Sequence, residues 1–243
     1  MKKNFLLLTM IMCLLGGINS VMAQEVVTID GDATKYKAST TDYAPIRTYN
    51  STSYSQFLYL KEELNMVEGT SITGISFKVN GSENAFPFVR NKIKVYLSST
   101  ELTTFTSSTM IKPSGEDLLF NGIMTFSGTG WLTISLDTPY TYDGKNILVS
   151  VWDNEGSYLE HTYFDSFTPK DDNSEERRCA YKTPNTADPV QSTIKGSLHA
   201  HTPQIKFTYV EGSSTPTAPD APALVSPENL DTDIFNPALN FTL

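Results

Sequence analysis

The chain has 243 residues, and its 27 aspartate and glutamate residues outnumber its 18 lysine and arginine residues, which gives a formal net charge of −9. Proteins that bind nucleic acid use clusters of Lys and Arg, so this acidic balance argues against a nucleic-acid partner. The chain is long enough to fold around a hydrophobic core of its own.

Residues 1–23 have the pattern of a cleaved secretory signal peptide. Lys2 and Lys3 precede an apolar run from Phe5 to Leu15, and small residues end the segment at Ala23. The run is shorter than the roughly 20 residues that a membrane-spanning helix needs. We expect a mature chain that starts at Gln24, has no transmembrane segment, and is secreted or located at the cell surface. Losing two lysines and no acids leaves it with 16 basic residues, 27 acidic residues and a formal charge of −11.

Alternation of apolar and polar residues predicts β-strands along most of the mature chain. The segment Gly130–Asn154 is the clearest example, because two alternating runs flank a tight turn. In the second run, Ile147, Val149 and Val151 share one face, and Leu148, Ser150 and Trp152 share the other. Such a two-residue period fits strands that bury one face, as in antiparallel sheets packed face to face.

The predicted fold class is all-β, an antiparallel β-sandwich of the jelly-roll type. Only Lys61–Val67 has helix-forming composition, and Asp165–Asp188 is predicted to be the longest irregular loop. The predicted strands are, in chain order, Glu25–Ile29, Gln56–Leu60, Ile72–Val79, Lys92–Leu97, Asp117–Phe120, Ile123–Phe126, Trp131–Leu136, Ile147–Trp152, Tyr158–Phe164, Arg178–Lys182 and Gln204–Tyr209.

The composition changes after the last predicted strand. Residues 24–210 form the predicted sandwich domain, and residues 211–222 form a linker with three prolines. The tail at residues 223–243 contains two short strand-like pieces and is too short to bury a core. We expect it to be unfolded or to be the start of a second module in a longer protein.

Several segments together resemble a β-sandwich module of secreted and surface proteins from gut and oral Gram-negative bacteria. They are Thr41–Leu64, Ile72–Asn80, Asn91–Thr100, Gly130–Tyr158 and Pro203–Tyr209. The module is similar to adhesin domains that accompany gingipain-type proteases and haemagglutinins, and the tail, with Ser226-Pro227, resembles the opening of a fibronectin type III-like module. This resemblance implies an exported accessory domain that binds glycans, proteins or a cell surface.

Residues suited to nucleophilic catalysis or to zinc binding are few. The only cysteine of the mature chain, Cys179, would need a histidine such as His161 beside it to act as a nucleophile. His199 and His201 would share a strand face and hold zinc only with a third ligand. We therefore expect a buried, inert thiol, surface histidines and no enzymatic activity.

Calcium is the metal that the acidic loops suit best, as a structural ion rather than a catalytic one. Asp153, Asn154 and Glu155 form one candidate cluster. A second contains Asp171, Asp172, Asn173, Glu175 and Glu176. Turn formation and solvation are the alternative explanations for the two clusters.

Exposed tyrosines at loop tips can stack on sugars, which makes Tyr140, Tyr142, Tyr158 and Tyr163 the candidate ligand-binding residues. Core packing is the alternative explanation for each of them. The sequence thus predicts an exported, non-catalytic module that binds a glycan or a protein. The alternatives are a secreted peptidase or glycosidase, and a structural spacer domain.

Overall fold

The computed structural model describes residues 23–42, 44–81, 86–158, 162–171 and 174–212, without the side chains of residues 40–42 and 162. The predicted signal peptide before residue 23, the linker beyond residue 212 and the tail lie outside these residues, so all three stay predictions. In the part of the chain that is described, no helix is long and apolar enough to cross a membrane.

The described residues form β-strands and one four-residue helix. The helix, α1, spans Lys61–Leu64, within the segment predicted to be helical. The strands are β1 (Gln24–Ile29), β2 (Tyr36–Asp42), β3 (Ser53–Tyr59), β4 (Ser71–Gly81), β5 (Phe88–Thr100), β6 (Leu118–Phe126), β7 (Gly130–Thr141), β8 (Asn146–Asp153), β9 (Thr162–Pro169), β10 (Cys179–Lys182), β11 (Ser197–His199), β12 (Thr202–Pro203) and β13 (Ile205–Val210).

The strands pair into two antiparallel sheets. The first sheet has the order β1-β13-β4-β9-β12, with β2 also paired to β9 and β7 also paired to β4. The second sheet has the order β11-β10-β3-β8-β5-β6. Every pairing between these strands is antiparallel. The predicted all-β, antiparallel sandwich is therefore confirmed.

Aromatic residues from the two sheets meet in the main core. Three edge-to-face ring pairs join one sheet to the other, with centroids 5.7 to 6.4 Å apart: Phe57 with Phe77, Tyr59 with Phe207, and Phe126 with Phe164. Burying a large apolar side chain contributes about 1.5–3 kcal/mol, so this aromatic layer is a major source of stability.

Strand β8 is buried on both faces. Ile147, Val149 and Val151 lie in the main core, as their shared face predicted. Leu148 and Trp152, on the opposite face, pack in a second apolar cluster with residues from the loops at 101–117 and 183–196. The two loops are joined by a hydrogen bond of 2.9 Å from the Met110 amide to the Ile194 carbonyl. The outer face of the second sheet is thus covered.

The structure corrects several details of the strand prediction. Strands β2, β11 and β12 were not expected, because they are short and lack a run of alternating apolar residues. The irregular loop predicted at Asp165–Asp188 is wrong in its first part, since β9 continues to Pro169 by pairing with β2. The two strands of Gly130–Asn154 are present but belong to different sheets, β7 pairing with β4 and β8 with β3 and β5.

A buried arginine, Arg178, links the helix to the edge of the sandwich. The guanidinium of Arg178 lies 5.1 Å from the ring centroid of Tyr36 and 5.0 Å from that of Phe167. It forms ion pairs of 2.7 Å with Glu63 in α1 and with Glu176. Burial opposes the charged form of Arg178, but the hydrogen bond and charge of Glu63, together with the charge of Glu176, outweigh it and raise the pKa of Arg178 above its ordinary value. The buried positive charge is therefore paired with two carboxylates.

Candidate functional site

A fully buried arginine holds two loops at one end of the sandwich. Arg90, in β5, is 0% exposed, and its Nε donates a hydrogen bond of 2.9 Å to Oδ2 of Asp153 at the end of β8. Its Nη2 contacts the same oxygen. Nη1 also donates to the Ser157 carbonyl at 2.9 Å, and Nη2 to the Ser51 carbonyl at 3.4 Å. Arg90 therefore ties both loops to the sheet.

The environment of Asp153 makes this attachment rigid. Burial raises the pKa of its carboxyl, against the opposing influence of the positive charge and hydrogen bonds of Arg90. The second oxygen, Oδ1, accepts a hydrogen bond of 3.0 Å from the backbone of Glu155. Removing one member of a buried ion pair costs about 3–5 kcal/mol, so the loop after β8 has one strongly favoured position.

Large apolar and aromatic side chains are exposed beside these attached loops. Tyr158 is 72% exposed, Tyr49 is 55% exposed, and Val89, next to Arg90, is 42% exposed. The two tyrosine-bearing loops are joined by a hydrogen bond of 2.8 Å from the Gly156 amide to the Ser51 carbonyl. We call these three exposed residues, which lie within two positions of Ser51, Arg90 and Ser157 along the chain, the tyrosine rim. The backbone that carries its two aromatic rings is fixed by the buried Arg90.

The four tyrosines predicted to contact ligand lie in different environments. Tyr158 belongs to the tyrosine rim. Tyr142 is 1% exposed in the main core, so its ring is not available to a ligand. Tyr140 is half-buried against that core, and burial raises the pKa of its hydroxyl well above the ordinary value. Tyr163 is half-buried in β9, opposite Asn80. The structure does not bring the four together.

The carboxylates predicted to bind calcium already have protein partners. Asp153 is paired with Arg90, and Glu155 accepts hydrogen bonds from the backbone and side-chain amides of Asn91. The amide of Asn154 donates to the Lys92 carbonyl at 3.0 Å. Among the described residues, no three His, Cys, Asp or Glu side chains are grouped so that they could hold a metal ion. Calcium binding stays a prediction.

The second acidic cluster is described only in part, because Asp172 and Asn173 lie outside the described residues. Glu176 is committed to the buried network, where it pairs with Arg178 and accepts a hydrogen bond of 2.9 Å from the Tyr36 hydroxyl. Glu175 is exposed, and Asp171 lines a small cavity. The described members therefore do not converge on one point.

Of the residues considered for catalysis or zinc binding, the structure describes Cys179, His199 and His201. Cys179 is 1% exposed, with its side chain in the main core, and His161 lies outside the described residues. His199 in β11 is the strand partner of Cys179, and its ring stacks on Tyr181 at 4.4 Å. His199 and His201 both line the small cavity that contains Asp171.

Three residues of the candidate site, Tyr49, Val89 and Arg90, were not identified from the sequence. The strand containing Arg90 was predicted to begin two residues later, and arginine is almost never fully buried without a partner. Tyr49 lies in a polar turn with no alternating pattern. A longer β5 would have placed Arg90 in the strand, but its partner Asp153 is 63 residues away along the chain.

No known protein-family model matches the chain, and no curated protein is similar to it. Among solved structures, the chain is similar to the cysteine protease and lectin-like domains of Cwp84, a surface-layer-associated protein of Clostridium difficile. The match has 14% sequence identity and a TM-score of 0.39, and it covers 74% of this chain and 37% of that chain. The resemblance to gingipain-associated adhesins and fibronectin type III modules stays a prediction.

Proposed function

We propose that this chain is an exported, non-catalytic adhesion module that binds a glycan or a protein through the tyrosine rim. The observation that supports this proposal most strongly is the exposure of Tyr49 and Tyr158 on loops fixed by the buried Arg90–Asp153 pair. Tyrosine offers a flat apolar face and a hydroxyl, and it has few rotatable bonds to immobilise on binding. Export and a surface location belong to this proposal and are supported by the signal-peptide pattern.

Rigid support is what distinguishes the tyrosine rim from exposed side chains elsewhere. A loop that is ordered before binding has less conformational entropy to lose when a ligand is bound. Arg90 provides this order from beneath the surface, because it contacts the backbone of both loops while remaining inaccessible to a ligand. Recognition residues on loops held by a rigid sheet are the usual arrangement in β-sandwich binding domains.

The test is a binding screen followed by matched variants. The purified chain is screened on glycan and host-protein arrays, and each ligand found is titrated against wild type, Tyr49→Ala, Tyr158→Ala and the double variant. Each lost aromatic contact is expected to weaken binding by about 0.5–1.5 kcal/mol. Val67→Ala is the control, since Val67 is 56% exposed and lies after α1, away from the tyrosine rim.

Each outcome of this screen bears on the proposal. Saturable binding that the double variant weakens and Val67→Ala preserves would support it. Binding that persists unchanged in the double variant would place the ligand elsewhere and overturn the role of the tyrosine rim. Absence of binding on both arrays would instead favour the structural-spacer alternative.

The hydrolase alternative requires a nucleophile that a substrate can reach. Cys179 is buried in the main core, so we propose no catalytic role for it. Assays on broad peptide and glycoside panels test this directly. Turnover that Cys179→Ser abolishes, in a variant with a wild-type circular dichroism spectrum, would contradict a non-catalytic module.

A further inference from the structure

A small polar cavity lies at the opposite end of β9 from the loop that carries Tyr158. Its volume is about 280 Å³, and its walls are the end of β9, the residues Asp171, Ser174 and Arg177, and β11 with the residues that follow it. The polar side chains in the lining that carry the argument are Thr168, Asp171, Ser174, Arg177, His199 and His201. The cavity is at the lower end of the size range of small-molecule sites, which suits a ligand of about one sugar ring.

Arg177 is held in the wall of this cavity by its neighbours. Its backbone amide donates a hydrogen bond of 2.8 Å to the Thr104 hydroxyl oxygen, and its Nη1 donates to the carbonyls of Ser174 at 2.7 Å and Glu176 at 3.0 Å. Its Nε and Nη2 make no hydrogen bond or ion pair with the described residues. One edge of the guanidinium is thus used for positioning, and the other edge has donors left for a ligand.

The opposite wall is also fixed. His199 pairs with Cys179 across the β10–β11 ladder, and its ring stacks on Tyr181 with an interplanar angle of 16°. His201 follows two residues later and is exposed at the mouth of the cavity. The two imidazoles therefore lie on a strand and its direct extension, so the wall is not a flexible loop.

The chemistry of this lining is unusual for so acidic a chain. A protein with a formal charge of −9 here places one guanidinium and two imidazoles around a space in which Asp171 is the single carboxylate among the described lining residues. Arginine is the side chain best suited to bind a carboxylate or sulfate through two parallel hydrogen bonds. Asp171 and the hydroxyls of Thr168 and Ser174 supply acceptors that suit sugar hydroxyl groups.

From this arrangement we infer that the cavity is a binding site for an acidic sugar residue, one that carries a carboxylate or a sulfate. Arg177 binds the anionic group through Nε and Nη2, and the imidazoles, Asp171 and the hydroxyl side chains bind the ring hydroxyls. The site is independent of the tyrosine rim, because the two lie at opposite ends of β9 and share no residue. Failure of one proposal therefore does not decide the other.

The experiment uses the full purified chain and three probe sugars. Methyl glucuronide, a sulfated glucose and neutral methyl glucoside are titrated at millimolar concentrations into the isotope-labelled protein, and amide chemical shifts are followed. The charged sugars are expected to shift the amides of Arg177, Ala200 and His201 in a saturable way, and the neutral sugar is expected to have little effect. The two charged probes distinguish a carboxylate ligand from a sulfate ligand.

Variants test the assigned role of the guanidinium. Arg177→Gln removes the charge and is expected to weaken binding about tenfold or more, since a charge-assisted bidentate contact is lost. Lys112→Ala removes one positive charge from an exposed site outside the cavity and is expected to leave affinity within about twofold, because exposed charges contribute little. His201→Ala is the second variant, for use if Arg177→Gln does not fold. It is expected to weaken binding without disturbing the backbone contacts of Arg177.

Three results would overturn the inference. They are the absence of saturable shifts with both charged sugars, shifts of equal size with the neutral sugar, and shifts confined to amides outside the cavity. Unchanged affinity in a folded Arg177→Gln variant would be equally decisive against it.

Discussion

At the scale of single residues, a glycine allows two aromatic residues to pack near the N-terminal strand. Gly31 has φ of +85°, and a Cβ atom added there would lie 2.7 Å from Cβ and Cγ of Phe167. Phe167 is 1% exposed, and its ring packs edge-to-face on Tyr36 with centroids 5.2 Å apart. Since the same two rings flank the Arg178 guanidinium, the packing beside Gly31 continues into the buried charge network.

We predict that Gly31→Ala destabilises the protein by about 2–5 kcal/mol. A positive φ costs a residue with a side chain about 1–2 kcal/mol, and overpacking a core adds about 1–3 kcal/mol. Gly69→Ala is the matched control, because Gly69 has φ of +86° but nothing within 4 Å of an added Cβ. Urea unfolding should show a smaller loss for Gly69→Ala than for Gly31→Ala. Equal losses in the two variants would mean that Phe167 yields without cost.

Adjacent arginines show why single residues were hard to assign from sequence. Arg177 and Arg178 form a basic doublet directly after Glu175 and Glu176, a pattern that indicates compensated surface charge. The structure instead buries Arg178 between two rings and places Arg177 in the wall of a cavity. The two adjacent arginines, which directly precede β10, therefore have separate roles although they carry the same side chain.

At the scale of elements, one buried glutamine attaches the loop at 101–117 to the second sheet. Gln56 in β3 is 0% exposed, and its Oε1 accepts a hydrogen bond of 2.8 Å from the Ile111 amide. Its Nε2 donates to the Ile111 carbonyl at 2.7 Å and to the Ser150 hydroxyl at 3.0 Å. The side chain thus satisfies both backbone groups of a loop residue, as a partner strand would do.

We predict that Gln56→Leu opens this loop and lowers stability by about 2–4 kcal/mol. The change leaves the Ile111 amide without its partner and the Ile111 carbonyl with only the long contact of 3.5 Å from the Tyr54 hydroxyl. Each unsatisfied buried group costs about 1–3 kcal/mol. Hydrogen exchange should show faster exchange at the amides of Ile111 and Met110, while amides in the main core keep their protection. Ser150→Ala removes only one of the hydrogen bonds and serves as the control. Unchanged exchange at Ile111 in Gln56→Leu would contradict the attachment.

The strands that the sequence predicted correctly are those with a buried face that repeats every second residue. Strand β4 is an example, since Ile75, Phe77 and Val79 alternate with polar residues and all three lie in the core. Strands β11 and β12 have three and two residues, and they exist because longer partners pair with them. Pairing of this kind depends on distant segments, so local pattern could not predict it.

The residues of the candidate site divide in the same way: some could be predicted from the local sequence, and others depend on contacts between distant segments. Tyr158 was identified because a turn-rich segment surrounds it, and exposure at such a position is a local property. The buried Arg90–Asp153 pair and the cavity beside Arg177 each join segments far apart in the sequence, such as β9 and β11. Tyr142 was predicted to contact a ligand because its sequence surroundings are turn-like, but its ring packs in the main core.

At the scale of the whole molecule, buried and partly buried tyrosines make the stability of the sandwich depend on pH in the alkaline range. Burial raises the pKa of Tyr36 and of Tyr96 to about 12. It also raises the pKa of Tyr54 and of Tyr59 above the ordinary value of a tyrosine hydroxyl. The unfolded chain releases these protons near pH 10, so above that pH the folded state holds more protons than the unfolded state.

The free energy of unfolding should therefore be unaffected by these groups below pH 10 and should fall as the pH rises from 10 to 12. Urea unfolding at a series of pH values measures the fall, and tyrosinate absorbance reports the titration. Tyr96→Phe gives the sharpest comparison, because the Tyr96 hydroxyl is buried and makes no hydrogen bond with the described residues. Removing an unsatisfied buried hydroxyl should leave stability at neutral pH unchanged or raise it by about 1 kcal/mol. The same variant should lose less stability above pH 10. A wild-type protein whose stability stays constant to pH 12 would show that these rings ionise without unfolding the core.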